Sequence, residues 1–451
     1  MAGPAVVGAA LDALDAAADE VIGLGAGGLG DGDRVQVLAR LSALSRRLGA
    51  YGYDTVNLLV EEASSTDIGG PLRWVLADRL SISPAAAVRM IAEAAEVGTR
   101  RAISGQVLAP RMPTVAAQAH AGRIGAEHVG VIREFFRRLP SHVGFEQRVA
   151  AEAMLGGFAA DLRPDQLRKA AAALADRLNP DGQYSDADRA AQRGFCWKTQ
   201  RPDGISVGML WATPQLRATL DAVIATWGAP GMCNPDDPPA TLDGDPPAQA
   251  VRTDTRRPAQ RAHDALAAMG RAVLASGKLG THRGLPATII VSTTLQELST
   301  AAGVGVTATG TTVPMRDVIR LASSAYHYLA VFDEHTQRAL YLGRTRIASA
   351  DQRIVLYARD RGCTFPGCDQ PACHTEVHHL TPYRNGGKTH PQGLGLTCHT
   401  HHLLADQGWT TRLNNRGHVE WIPPPHLPRD RPTTNNFHHP ERYLEPEQHD
   451  E

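Results

Sequence analysis

Cysteine and histidine are concentrated in residues 362–409, which contain four of the six cysteines and seven of the nineteen histidines of the chain. Two short pairs stand out, because Cys363 and Cys368 flank the sequence TFPG, and Cys398 and His401 flank HT. Two close pairs joined by a longer excursion are typical of a closed tetrahedral zinc site. We therefore predict one structural Zn²⁺ held by these four residues, and leave open whether Cys373 replaces Cys363.

The other histidines of this segment indicate a second polar centre. His378 and His379 are adjacent in the strand-like run TEVHHLTP, so their side chains should point to opposite faces. After the turn YRNGG, the run HTHHLLADQG predicts a short helix that ends near Gly408. On this helix His402 and Asp406 stand at i and i+4, where a helix can offer two ligands to one ion. The segment is predicted to form strand, turn, strand and helix.

Helices are expected to position this segment. Ser349 and Gln352 have the spacing of a capping box, which predicts a helix that runs into the cysteines. Apolar residues recur at helical spacing through much of the first 227 residues, and Ser83 before Pro84 marks one helix start. We expect a helical domain at 1–227, a Pro/Asp-rich linker or loop at 228–255 with Cys233 exposed, and a continuation of the helical domain with short strands at 256–348. In this last region LPATIIVST suits one buried strand, and YHYLAVFDEHTQRALYLG suits two short strands around a turn. A metal-binding domain at 349–422 and a Pro-rich tail at 423–451 complete the predicted organisation. The tail is expected to be extended over the surface or disordered, with His439 solvated.

Composition describes a soluble globular protein, with 43% apolar and 21% charged residues. The net charge of -1 gives no global attraction to nucleic acid, so any such binding needs a local patch. No basic residue precedes Arg34 and no apolar run approaches the length of a membrane span, so we expect neither a targeting peptide nor a membrane contact. We predict a cytoplasmic protein, in which clustered cysteines favour metal over disulfides.

Residues 362–409 resemble an HNH nuclease motif, written here with HH in the first strand and CxxHH at the end. The runs DLRPDQLRKAAAALADRLNPDG, RRPAQRAHDAL and RDRGCTFPGCD resemble actinobacterial proteins that join a helical domain of unknown function (number 222) to this nuclease domain. The run GWTTRLNNRGHVEWIPPPHL is similar to the mycobacterial thirteen-E-twelve repeat family. The resemblance implies a mainly α multi-domain protein with a small mixed α+β region and a C-terminal ββα-metal (HNH/treble-clef-like) domain.

The resemblance also implies an activity, namely metal-dependent hydrolysis of DNA, expected to be double-stranded, to 5′-phosphate and 3′-hydroxyl ends. His379 would be the general base, and His378 and His402 would hold one divalent cation, Mg²⁺ or Mn²⁺, with Asp406 as a further ligand. Cys363, Cys368, Cys398 and His401 would be the ligands of the structural zinc. Local candidates for phosphate contacts, each of which could equally be a solvated surface charge, are Arg353, Arg359, Arg361, Arg384 and Lys388.

Gly393 departs from the nuclease pattern, because the family has an Asn there that fixes the loop carrying the base. A glycine supplies no side-chain hydrogen bond and also loosens a strand. Two further hypotheses stay open: a catalytically weak or inactive zinc-stabilised nucleic-acid-binding protein derived from an HNH nuclease, and a purely structural or metal-sensing zinc domain. His379 favours the nuclease over the structural domain, since a structural site has no use for an unliganded His beside a ligand. Gly393 favours the inactive binding protein.

Overall fold

The structure, a computed structural model, describes residues 3–102, 104–237, 242–283, 285–286, 289–322 and 348–443. The α-helices in these residues are α1 (Pro4–Leu24), α2 (Asp31–Glu62), α3 (Ser65–Ile68), α4 (Leu72–Arg79), α5 (Pro84–Val97), α6 (Pro113–His120), α7 (Ala126–Arg138), α8 (Phe145–Ala159), α9 (Pro164–Leu178), α10 (Asp186–Gln192), α11 (Pro214–Trp227), α12 (Ala248–Thr253), α13 (Pro258–Ala275), α14 (Leu295–Thr300), α15 (Met315–Ala322), α16 (Ala350–Asp360) and α17 (His399–Ala405). The strands are β1 (Arg100–Arg101), β2 (Val107–Leu108), β3 (Gly194–Trp197), β4 (Gly208–Trp211), β5 (Thr281–His282), β6 (Leu285–Pro286), β7 (Val291–Ser292), β8 (Val304–Thr307), β9 (Thr312–Pro314), β10 (Thr375–His379), β11 (Leu394–Cys398), β12 (Thr410–Leu413) and β13 (Val419–Ile422). The protein is therefore mainly helical with small sheets.

Helix starts follow the capping residues that the sequence predicts. Ser83 accepts a hydrogen bond from the amide of Ala86 at the start of α5. At α16 the capping box is complete, because Ser349 accepts from the amide of Gln352 while the Gln352 side chain accepts from the amide of Ser349. Each such bond satisfies an amide that the helix itself leaves without a partner. These predictions are confirmed.

The chain forms two compact units. The first unit comprises residues 1–63 and 83–184, and its core is aliphatic, with Ile124, Ile132, Leu155 and Leu167 fully buried. The second unit comprises residues 64–82 and 185–451. Helices α3 and α4 therefore belong to the second unit, although the first unit flanks them in sequence. The predicted domain boundaries stay predictions, since compactness does not test independent folding.

Three local expectations in residues 228–348 have different outcomes. Met232 and Cys233 are buried within the predicted linker, so the expectation that this cysteine is exposed is wrong. The run LPATIIVST, predicted as one buried strand, is divided between β6 and β7. The strands predicted in residues 326–343 lie outside the described residues. None of the described helices combines the length and apolar character that crossing a membrane requires.

The segment with the cysteines and histidines has the predicted order of strand, loop, strand and helix. β10 and β11 pair antiparallel, with His378 opposite Gly395 and His379 opposite Leu394, and α17 follows β11 directly. Two apolar clusters support this hairpin. One contains Trp74, Phe365, Leu404 and Trp421 together with the cysteines, and the other is formed by α16 against β11. The hairpin is thus held between two packed layers.

Candidate metal centre and histidine site

The two short pairs of the sequence converge on one point. Cys363, Cys368, Cys398 and His401 are all buried, and their ligating atoms lie within 4.8 Å of one another. His401 Nδ1 is 3.2 Å from the Sγ of Cys398 and 3.5 Å from the Sγ of Cys363. A tetrahedral Zn²⁺, with Zn–S of about 2.3 Å and Zn–N of about 2.0 Å, sets S···N separations of about 3.5 Å. The group could therefore hold a structural metal ion.

The electrostatics of the cysteines fit a cation at their centre. Burial raises the pKa of the Cys363 thiol, and hydrogen bonds to Cys363 and Cys398 raise the pKa of Cys368. Hydrogen bonds from these two thiols hold the pKa of Cys398 far below its ordinary value. One thiolate is thus favoured locally, whereas three buried thiolates would repel one another without a positive charge among them. A bound metal supplies that charge.

Aromatic rings cover the histidine of this group. The Phe365 ring stacks on His401 at 4.0 Å between centroids and an interplanar angle of 9°. Trp74, which α4 supplies, lies 5.9 Å from the same imidazole and is 4% exposed. These rings exclude water from the ligand, which lowers the local dielectric and favours a closed structural site. The Trp74 contact joins residues 64–82 to the rest of the second unit.

The C-terminal tail closes the other side of the group. The side-chain amide of Asn435 donates to the carbonyl of Cys363 at 2.7 Å and to the carbonyl of Cys368 at 2.8 Å. Asn435 is 7% exposed, and so is His439. The expectations that the tail only runs over the surface and that His439 is solvated are therefore wrong for this part of the tail. Although the tail is rich in proline, this part of it makes buried polar contacts.

Cys373 lies outside the four-residue group. It is half-buried beyond the Cys363–Cys368 turn, and its amide donates to the carbonyl of Ala308. Spacing alone left Cys363 and Cys373 as alternatives, and the structure selects Cys363.

His378 is buried on β10 and its protonation is fixed by hydrogen bonds. Its Nε2 lies 3.1 Å from the hydroxyl of Thr411, and that hydroxyl donates its single hydrogen to the carbonyl of Leu380. Thr411 can therefore only accept from His378, so Nε2 carries the hydrogen and Nδ1 carries the lone pair. Burial, followed by repulsion from His402 and His379, lowers the pKa of His378 to about 4. His378 is thus a neutral imidazole at neutral pH.

His402 faces His378, with 5.2 Å between ring centroids and an interplanar angle of 79°. Its Nδ1 lies 2.8 Å from a carboxylate oxygen of Glu376, and this hydrogen bond is the main reason why the pKa of Glu376 is lowered. Because a carboxylate only accepts, Nδ1 of His402 carries a hydrogen and the neutral ring keeps its lone pair on Nε2. A carboxylate behind a histidine in this way is typical of metal ligands.

Glu376 was not among the residues predicted from the sequence. It stands two positions before His378 in β10, so both side chains lie on the same face of the strand. Its carboxylate also lies 3.4 Å from His399 and 3.7 Å from Arg283. The alternation of the strand could have placed Glu376 beside His378, but nothing local indicates its contact with His402.

His379 points to the opposite face, as predicted. Its Nε2 lies 3.0 Å from the hydroxyl of Thr389, and its ring lies 5.7 Å from that of Tyr383. Asp406 is exposed at the C-terminus of α17. Among the described residues, the cysteine-containing group is the one set of three or more candidate ligands within 4.8 Å, so His378, His402 and Asp406 are not gathered to that extent. Metal binding by these three residues stays a prediction.

The basic residues predicted to contact phosphate divide into three kinds. Arg359 is buried, pairs with Asp360, and donates to the carbonyls of Pro391 and Leu394 at 2.6 Å and 2.7 Å. Its guanidinium cannot reach a nucleic acid, so we correct that expectation. Arg353 is half-buried on α16, and Arg361 pairs with Glu441 at 2.9 Å. Arg384 and Lys388 are exposed in the loop after β10, where they make no ion pair with a described residue.

Comparison with known proteins covers most of the chain. The family model for a domain of unknown function (DUF222) matches residues 35–360. The chain is 48% identical over 438 residues to Uncharacterized protein Rv1945 of Mycobacterium tuberculosis (strain ATCC 25618 / H37Rv), covering 97% of this chain and 96% of the relative. The same figures hold for Uncharacterized protein Mb1179c of Mycobacterium bovis (strain ATCC BAA-935 / AF2122/97). No solved structure matches. Since the family model covers more than half of the chain, and these relatives align along almost all of it, the chain belongs to the DUF222 family.

Proposed function

We propose that this protein is a metal-dependent DNA endonuclease of the HNH type, which hydrolyses phosphodiester bonds to 5′-phosphate and 3′-hydroxyl ends. The proposal rests on one observation: two histidines, His378 and His402, face each other on β10 and α17, while His379 lies beside them on the other face. A structural metal site needs none of these three histidines, because Cys363, Cys368, Cys398 and His401 already form a closed set.

His378 and His402 fit a divalent cation. Their hydrogen bonds to Thr411 and Glu376 leave lone pairs on Nδ1 of His378 and on Nε2 of His402. Imidazole nitrogen suits Mn²⁺ or a later transition metal better than Mg²⁺, unless the exposed carboxylate of Asp406 joins them. A cation held there would neutralise phosphate charge and stabilise the leaving 3′ oxygen. These hydrogen bonds orient both rings before the cation arrives.

His379 supplies the base in this proposal. Its imidazole accepts a proton from water, which then attacks phosphorus. The ring is half-buried, so it is partly accessible to solvent. Arg384 and Lys388, both exposed in the loop after β10, are the remaining candidates for contacts with the phosphate backbone.

A second candidate function is a zinc-stabilised nucleic-acid-binding protein that cleaves weakly or not at all. Gly393 is the observation that favours it, because the side chain that fixes the base in the nuclease family is missing. Arg384 and Lys388 would serve this protein equally well, so only catalysis separates the two functions.

Plasmid nicking by the purified, zinc-loaded protein with Mn²⁺ or Mg²⁺ tests the proposal. We expect cleavage by the wild type and by His374→Ala, which alters an exposed histidine outside both sites, and none by His379→Ala. Because general-base catalysis contributes at least about 100-fold, the rate of His379→Ala should fall by that factor or more. A folded wild type that shifts DNA in a gel without nicking it would establish the binding protein instead.

A further inference from the structure

The loop before β11 holds a buried hydroxyl against His379. Thr389 is 3% exposed, and its Oγ1 lies 3.0 Å from Nε2 of His379. The two residues are separated by the turn of the hairpin, in which Gly386 adopts a left-handed conformation at φ 87°. A threonine hydroxyl buried against an imidazole restricts rotation of the ring and occupies one of its two nitrogens.

Helix α16 fixes the backbone of this threonine. The side chain of Gln352, which is 1% exposed, donates from Nε2 to the carbonyl of Thr389 at 2.9 Å. The buried Arg359 donates to the carbonyls of Pro391 and Leu394, on both sides of Gly393. Residues 389–394 are thus tied to α16 at three carbonyls, so Thr389 has little freedom to leave His379.

Gly393 permits this arrangement and does not loosen it. A Cβ atom at residue 393 would lie 2.7 Å from the carbonyl oxygen of Lys388, closer than real Cβ contacts. The amide of Gly393 donates to the carbonyl of His390 at 2.8 Å, and its carbonyl accepts from the amide of Leu380 at 2.9 Å. A larger residue at position 393 would displace the backbone of Lys388, and with it the neighbouring Thr389. The expectation that glycine leaves the loop poorly fixed is therefore wrong.

We propose that Thr389 is the positioning residue for His379, its buried hydroxyl holding the imidazole in one orientation through Nε2. The catalytic part of this inference rests on the proposed endonuclease function, whereas the contact between the two side chains does not. Thr389 thereby fixes the orientation of the base without touching substrate.

Two variants separate the hydroxyl from the shape of the side chain. Thr389→Val keeps the volume and removes the hydroxyl, whereas Thr389→Ser keeps the hydroxyl. The matched control is Thr397→Val, because Thr397 is fully buried in β11 and its hydroxyl has no hydrogen-bond partner among the described residues. Nitrogen-15 spectra of histidine-labelled protein report the tautomer of each ring without any cleavage reaction.

We expect wild type, Thr389→Ser and Thr397→Val to show the same single tautomer of His379, and Thr389→Val to show a mixture of both tautomers. In plasmid nicking, kcat of Thr389→Val should fall about 10-fold or more with KM unchanged, while Thr389→Ser should stay within about 3-fold of wild type. Gly393→Asn should not raise kcat, because it displaces the loop.

Unchanged His379 signals in Thr389→Val, or faster cleavage by Gly393→Asn, would overturn the inference. If wild type cleaves no DNA but Thr389→Val still changes the His379 tautomer, the positioning contact stands and the endonuclease proposal fails. The spectra therefore test the positioning contact, and the cleavage assay tests the endonuclease proposal independently.

Discussion

Replacing Asn435 by Ala removes the donor that connects the tail to the cysteine group. Two buried carbonyls, those of Cys363 and Cys368, lose hydrogen bonds of 2.7 Å and 2.8 Å. At about 1 kcal/mol for each bond, the loss is about 2 kcal/mol. If the tail adopts this position only around the loaded group, that free energy corresponds to a roughly 30-fold weaker affinity for zinc. This factor lies within the range of about 10- to 100-fold known for residues that support metal ligands.

Competition between the protein and a chromophoric zinc chelator measures this change directly. Asn436→Ala is the matched control, because Asn436 is the same residue type at the next position and its side chain makes no hydrogen bond with a described residue. We expect Asn436→Ala to bind zinc like the wild type. Equal zinc affinity in Asn435→Ala and Asn436→Ala would refute the argument that the tail supports the metal group.

Three further predictions concern single groups. Glu376→Gln should weaken Mn²⁺ binding by about 10- to 100-fold in titration calorimetry without changing zinc content, because a neutral amide holds His402 less firmly. Burial lowers the pKa of His439 to about 3, so the folded state keeps this ring neutral while the unfolded state protonates below about pH 6.5. The free energy of unfolding should therefore decrease as the pH is lowered, by about 2 kcal/mol between pH 7 and pH 5. Denaturation curves measured at a series of pH values should show a smaller decrease for His439→Gln. Cys373→Ser should keep its zinc in elemental analysis whereas Cys368→Ser loses it, and the reverse result would exclude the observed ligand set.

Local signals predicted the elements that carry the site. Ser83 and Ser349 mark helix starts because an N-cap needs only the next three residues. The ligand pairs could be recognised for the same reason, since each pair is closed by a short turn or by the first turn of α17. The opposite orientations of His378 and His379 follow from the alternation of a strand. In each case the residues that determine the feature lie within a few positions of one another.

The residues that support the site could not be predicted, because their contacts join distant parts of the chain. Trp74 covers His401 from α4, and Asn435 reaches back to Cys363 across 72 positions. Arg359 was a candidate for phosphate contacts because it lies close to the cysteines in sequence, yet it is buried with Asp360. Gly393 was interpreted from its missing side chain, whereas the closeness of the Lys388 carbonyl explains the glycine.

We propose that residues 362–409 contain two centres with different tasks, a structural metal group and a separate hydrolytic site. Zinc content and Mn²⁺-dependent plasmid nicking, measured on the same preparation of His402→Ala, test it most directly. We expect one zinc per chain, as in the wild type, together with loss of nicking. Loss of the zinc in this variant, or nicking at the wild-type rate, would contradict the division into two centres.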